Sequence, residues 1–404
     1  MGQTKQLAQQ AIDAGKGIVR LMPTWVPRSF CVPGRRLRLH PDDLYALGGN
    51  RGGIDERWFS STTKADNGPL TEPDEGLSYI YISDNERVTL ADAIEEMGAD
   101  YLGQDVMDSL GGWVMYSKFF DNMYPLPHHL HQSDDKAADV GRVGKPEAYF
   151  YPSQYNFALD TFPYTFFGFE PGTTKEQVVA CLEAFESGDN HILDLSKAYR
   201  LKLDTGWYVP PGVLHAPGTL CTYEPQRASD VFSMWQSLIA DQQIVERELL
   251  VKDVPEDKHH DMDYLMSLLD WEANVAPDFK ERFYCEPIPA GDVDAMQGDG
   301  YFDEWIVYGS EWFSAKRLTV QPGRTVTVKD PGAYGLITMQ GYGEIGPHAI
   351  SAPSMIRFGQ MTEDEFFVTV GAATEGVTFT NKSQTEPLVM LRHFNPQNPE
   401  MPTA

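Results

Sequence analysis

The sequence predicts a mainly β protein: two β-sandwich barrels, an α-helical segment between them, and a helical and irregular N-terminal region. Three observations predict it. From residue 300 onward, short apolar runs alternate with Gly and Pro turns, as in "WFSAKRLTVQPG", "DEFFVTVGAATEGVTFTN" and "PLVMLRHF", and many short strands at that spacing make a sandwich or barrel. From 112 to 231 the runs are aromatic-rich, short and bounded by proline, as in "WVMYSKFFDNMYPLPHHLH" and "PEAYFYPS"; these read as strands. Residues 232–275 carry a helical pattern, including "FSMWQSLIADQQIVERELL" and "MDYLMSLLDWEANV". The expected divisions are 1–111 packing on the first barrel, 112–231 as that barrel, 232–299 as the helical segment, and 300–404 as the second barrel.

Taken in order, residues 1–20 mix apolar and polar groups in a helix-like way. A Pro- and Gly-punctuated stretch follows, with "PGRRLRLHPDD" and "LGGNRGGIDERW". In "TLADAIEEMGADYLG", Leu90, Ala93, Ile94 and Met97 recur every three to four residues, and Thr89 stands where a cap belongs. "TFPYTFFGFEPG" continues the strands, "TTKEQVVACLEAFESG" is a helix with a Thr cap and a Gly stop, and "AYRLKLDTGWYVPPGVLHAPGTLCTYEPQ" returns to strands and turns.

The 404 residues are 42% hydrophobic and 12% aromatic, enough for a sizeable core. The formal net charge is −27 and is spread along the chain. Such a field repels polyanions, so neither nucleic acid nor an anionic membrane is an expected partner. Cys31, Cys181, Cys221 and Cys285 form no C-x-x-C pair and read as isolated thiols of a reducing compartment. No apolar run nears the roughly twenty residues that span a bilayer. The N-terminus lacks a signal-type apolar core, and Gln6 stands where myristoylation needs Ser or Thr. A cytoplasmic location is expected; the oligomeric state is left open.

Chemistry concentrates at "YPLPHHLH", which holds three of the ten histidines. His129 and His131, at i and i+2 on a strand, share one face, so both imidazoles can reach one ion; His128 points to the other face. Glu147 would come from a neighbouring strand, and the turn Pro210-x-Gly212 aims His215. Together these form H-x-H…E…P-x-G-x-x-H, which resembles the metal signature of the cupin barrel; the resemblance implies that the first barrel is the metal-binding one and the fold a bicupin. His259 and His260 lie in a polar link, and His40, His191, His348 and His393 have no partner identifiable from sequence. Three imidazoles and a carboxylate suit one divalent ion, Zn²⁺ foremost, with Mn²⁺, Fe²⁺, Co²⁺ and Ni²⁺ also accommodated.

The order of motifs resembles the type I phosphomannose isomerases. The likeness runs through "GGIDERWFSSTTKADNGPL", "TLADAIEEMGADYLG", "YSKFFDNMYPLPHHLH", "KPEAYFYP", "FFGFEPGTTKEQVVACLEAFESG" and "LDTGWYVPPGVLHAPGTLCTYEPQRASD", in the family's order. A C-terminal barrel without ligands is part of the same expectation. The resemblance implies that His131, Glu147 and His215 are metal ligands and that His129 stands where the family usually has Gln. It implies active-site roles for Lys145, Glu224 and Asp230. Lys118, in "YSKFF", is a candidate substrate contact. Gln132 replaces the family's proline, and Met234 stands where the family has an arginine, for which Arg227 is the candidate substitute.

The expected function is a metal-dependent aldose–ketose isomerisation of a sugar or sugar phosphate. It moves a proton between C1 and C2 through an enediolate, with a Lewis acid on the adjacent oxygens and a side-chain base. Two other readings fit the same ligands: an iron-dependent cupin dioxygenase, and a sugar-binding relative without turnover.

Overall fold

The computed structural model describes residues 2–156, 163–239, 243–396 and 398–402. Two antiparallel sandwiches stand side by side. In the first, a seven-stranded sheet runs in the order Tyr284–Cys285, Gly206–Val209, Glu147–Phe150, Thr222–Arg227, Met115–Phe120, Gly53–Phe59 and Thr24–Arg28. A five-stranded sheet faces it, in the order Ser196–Arg200, Tyr164–Phe169, His215–Ala216, His129–Leu130 and Ser233–Met234. Aromatic side chains fill part of the gap: Tyr149 of one sheet stacks on Phe167 of the other at 6.2 Å between ring centres.

The second sandwich has a seven-stranded and a four-stranded sheet. Its strand Leu388–Phe394 explains why "PLVMLRHF" shows no alternation. Leu388 and Met390 face its own core, beside Val326, Ile345 and Phe379. Val389 and Leu391 face the other way, into a core shared with Phe59, Phe119 and Tyr223 of the first sandwich. A strand buried on both faces is apolar throughout. At the sandwich's outer sheet, "TVTV" buries Val326 and Val328 and exposes Thr325 and Thr327, the alternation of a half-covered strand.

The N-terminal region adds strands that the sequence did not announce. Ile18–Arg20 pairs with Glu365–Val368 of the second sandwich, while Thr24–Arg28 and Gly53–Phe59 extend the first. Residues 1–111 therefore complete both sandwiches. The helices Gln3–Gly15 and Leu90–Leu102 follow the periodicity, and Thr89 caps the second through Asp92 N–H at 3.0 Å. Thr174 and Gln177 form a capping box on Lys175–Glu183.

One helical expectation fails. Within "FSMWQSLIADQQIVERELL", Ser233–Met234 is a strand and, among the described residues, only Arg247–Leu250 is helical; residues 240–242, like residues 161–162 of the run "TFPYTFFGFEPG", lie outside the described residues. The apolar spacing there served a sheet edge, because Met234 pairs with His129. "MDYLMSLLDWEANV" is two short helices, Met262–Met266 and Trp271–Asn274, the second capped by Asp270. Among the described residues no helix is long and apolar enough to cross a membrane.

Candidate metal centre and cavity

Strand register brings the histidines together. His215 lies directly opposite His129 across the five-stranded sheet, and their rings are 4.2 Å apart, centre to centre. His131 lies 5.2 Å from His129 and 5.1 Å from His215 by the same measure. The Pro-x-Gly turn is fastened to this strand: Gly212 N–H donates to His131 O at 2.8 Å, at φ 77°. A side chain at 212 would be strained by that φ, and its Cβ would meet Asp270 N at 2.8 Å. Glu147 starts the strand Glu147–Phe150 and reaches across the sandwich, with Oε2 at 2.9 Å from His131 Nε2 and Oε1 at 3.2 Å from His215 Nε2.

The imidazole orientations fit a metal. Each Nδ1 donates to a backbone carbonyl: His129 to Pro127 at 2.7 Å, His131 to Val231 at 2.8 Å, His215 to Val213 at 2.9 Å. That fixes the tautomer and leaves each Nε2 lone pair directed inward. Ligand atoms of the three residues lie within 4.8 Å of one another, and buried His215 Nε2 has no hydrogen-bond partner. Burial drives the His129 pKa well below its ordinary value and takes His131 to about 4, so both imidazoles are neutral at pH 7, the form that could ligate a metal. Burial pushes Glu147 upward, but Lys145 and His131 beside it hold it well below the ordinary carboxylate value. Tyr149 donates its hydroxyl to Glu147. A cluster of acceptors with outer hydrogen bonds already made could hold a cation.

His128 stays apart, as its place on the strand requires. Its Nε2 meets Ser196 Oγ, and burial lowers its pKa to about 3.

A small cavity of about 50 Å³ opens on this cluster. Its charged lining alternates in sign along one chain of contacts. Lys145 Nζ lies 3.0 Å from Glu147 and 3.6 Å from Glu224. Lys118 Nζ lies 3.3 Å from Glu224 and 3.1 Å from Glu56. Arg28 lies 3.2 Å from Glu56 and 3.0 Å from Asp230. Phe30, Leu126, Phe232 and Met234 supply apolar wall. Burial and the negative charge of Glu147 raise the Glu224 pKa to about 8, against the pull of Lys118 and Lys145. Asp230 behaves oppositely: burial opposes, but Arg28 and Lys252 hold it far below the ordinary carboxylate range.

Of the residues singled out in the sequence, His129, His131, Glu147, Lys145, Glu224, Lys118 and Asp230 all line this cavity. His215 closes the cluster from behind Glu147. Arg227 does not reach it: its guanidinium pairs with Asp134 at 2.5 Å and stacks 3.5 Å above the Trp312 ring. The arginine of the cavity is Arg28, held by two contacts to Asp230 and one to Asn67. Sequence reasoning missed Arg28 and Glu56. They come from strands far upstream, and only pairing of Val26 with Glu56, and of Trp58 with Lys118, carries them to the site. Glu56 sat inside the quoted "GGIDERW"; nothing in "VPRSF" marked Arg28.

No family model matches the sequence, and no curated relative matches it. Solved structures do resemble the folded chain. The mannose 6-phosphate isomerase from Bacillus subtilis is 15% identical, with a TM-score of 0.63 over 94% of this chain and 99% of that one. A variant of the phosphomannose isomerase from Salmonella typhimurium is 13% identical, with a TM-score of 0.58 over 94% and 100%. A mannose 6-phosphate isomerase bound with zinc and yttrium gives the same values. The chain has the phosphomannose isomerase fold. At such identity the likeness establishes the architecture, and the chemistry rests on the side chains described above.

Proposed function

We propose that the protein is a metal-dependent aldose–ketose isomerase acting on a sugar or sugar phosphate, of the mannose 6-phosphate/fructose 6-phosphate type. The observation that carries the reading is the meeting, in one buried cavity, of a His₃Glu donor set with two further groups able to hold and move a proton. The ligands are His129, His131, Glu147 and His215. A divalent ion held there, Zn²⁺ first among those the donors suit, would supply Lewis-acid polarisation of the substrate's adjacent carbonyl and hydroxyl oxygens.

The chain's own residues supply the rest. Glu224, its pKa raised to about 8, exchanges a proton near neutral pH and is the candidate to carry it between C1 and C2. Lys145, between Glu147 and Glu224, is placed to donate hydrogen bonds to the reacting oxygens. Lys118 holds Glu224 from its other side. Asp230 fixes Arg28 at the cavity wall and acts through it as a positioning residue. The apolar wall excludes water from the sugar face.

The test is incubation of metal-loaded protein with aldoses and their 6-phosphates in D₂O. Appearance of the paired ketose, with exchange of the C2 hydrogen and loss of both on chelation, supports the reading. Dioxygen consumption without sugar interconversion supports the oxygenase chemistry of the same ligand set instead.

A further inference from the structure

We infer that the protein has a second ligand site, a cleft between the two sandwiches that takes a nucleoside monophosphate. The inference does not draw on the isomerase reading. The cleft has a volume of about 780 Å³ and shares no lining residue with the metal cavity. That volume suits a small organic molecule, and such sites favour junctions of this kind. The stretch "GRRLRLHP" borders it, with Tyr155 from the first sandwich and Met339–Tyr342 and Ser351–Met355 from the second.

The charge of the cleft runs against that of the chain. The sequence holds 59 acidic and 32 basic side chains, yet Arg35, Arg36 and Arg38 line the cleft with one carboxylate, Glu386. Arg36 is neutralised by Asp121, 2.7 Å from its Nη2. Glu386 is exposed and accepts from Gln340 Nε2 at 3.0 Å. Arg38 donates to Pro353 O and Met339 O, each at 2.9 Å, lies 4.2 Å from the centre of the Tyr155 ring, and has no carboxylate partner among the described residues. Arg35 is exposed and makes no ion pair among the described residues. Even with Asp121 counted, the arginines outnumber the carboxylates by three to two. Charges elsewhere on the chain are screened beyond about 8 Å at physiological salt.

The backbone holds both free arginines in a conformation that L residues avoid. Arg35 has φ 77° and Arg38 has φ 64°, left-handed values that crowd any Cβ. Bonds around Arg38 enforce its geometry: Ile356 N–H donates to Arg38 O at 2.7 Å, and His40 N–H to Ile356 O at 2.8 Å. Backbone held this way gathers at ligand clamps. The two carbonyls and the Tyr155 ring fix the plane of the Arg38 guanidinium and leave further N–H groups of its fork for an anion.

Three features define the ligand. Two arginines without acid partners match the charge of a phosphate monoester, about −1.5 to −2 at pH 7. Gln154 lines the cleft with Oε1 buried and without a hydrogen-bond partner, so it calls for a donor, such as a ribose hydroxyl or a base amino group. Tyr342 and Met355, 49% and 54% exposed, offer apolar surface that a planar base can cover. A nucleoside monophosphate joins anion, donor and ring in one molecule.

The test is calorimetric binding of adenosine 5′-monophosphate to the metal-loaded protein, beside adenosine and inorganic phosphate. The monophosphate should bind at least about tenfold more tightly than either part, and more weakly as salt rises. Arg35→Gln, which breaks no ion pair of the fold, and Arg38→Gln should each weaken it about tenfold, the loss of one charge-assisted contact. Arg282→Gln, at an exposed arginine outside the cleft, should leave the affinity unchanged, and so should removal of the metal by chelation. Absence of monophosphate binding overturns the inference, as does equal binding of inorganic phosphate or adenosine. Binding that survives both cleft substitutions also overturns it, and binding that disappears with the metal does so by placing the nucleotide at the metal cavity.

Discussion

His393 joins the two sandwiches, and acid should loosen them there. It sits on the strand Leu388–Phe394, fully buried, with Nδ1 at 3.0 Å from the hydroxyl of Tyr223 on the first sandwich. Burial alone takes its pKa from an ordinary 6.5 to about 3. The folded state therefore favours the neutral ring. The stability linked to it is complete above pH 6.5 and is lost as pH falls through the window down to about 3. Each unit is worth about 1.4 kcal/mol, so at pH 5 the loss is about 2 kcal/mol, rising to about 5 kcal/mol below pH 3. For a chain of this length 2 kcal/mol corresponds to a fall of about 2 °C in Tm. The assay compares metal-free native protein with His393→Asn at pH 7.5 and pH 5, by thermal unfolding. Whatever the variant's own stability, its fall between the two pH values should be smaller than the native protein's by about that amount. Equal falls would refute the assignment of a buried neutral imidazole at the interface.

Other consequences follow from the same geometry. Gly335 lies where a Cβ would come within 2.1 Å of His393 Nε2 and 2.2 Å of Ser60 Oγ; Gly335→Ala should cost about 1–3 kcal/mol by overpacking, read as a lower unfolding midpoint. His215→Ala should weaken metal binding by more than about 100-fold, since loss of even an outer hydrogen-bond partner costs 10–100-fold, as measured by competition with a chromophoric chelator. Glu224→Gln should retain the metal and lower kcat by about 100- to 10,000-fold, the range for a lost acid–base group; an unchanged kcat on any sugar the native protein isomerises would remove Glu224 from proton transfer.

The convergence of the candidate ligands was legible because local rules place them. An i, i+2 pair shares a strand face, and a Pro-x-Gly turn with φ 77° at Gly212 aims the next strand. The helix starts at Thr89 and Thr174 were legible for the same reason, since a cap is written within four residues. What escaped depends on pairing across long separations. Arg28 reaches Asp230 over 202 positions of sequence, and no local pattern encodes which strands become neighbours. The apolar residues of 232–239 were ambiguous in themselves, because a short run suits a buried strand as well as a helix. Arg227 illustrates the limit from the other direction. Its place near Asp230 in sequence suggested the cavity, yet strand alternation turns it outward to Asp134 and Trp312.

The central claim is that four side chains converge on one divalent cation, and X-ray absorption at the metal edge of the loaded protein tests it most directly. The account predicts a first shell containing three imidazole nitrogens and a carboxylate oxygen at about 2.0–2.2 Å, with the imidazole scattering reduced in His215→Ala. A first shell without imidazoles, or one unaltered by that substitution, would contradict it.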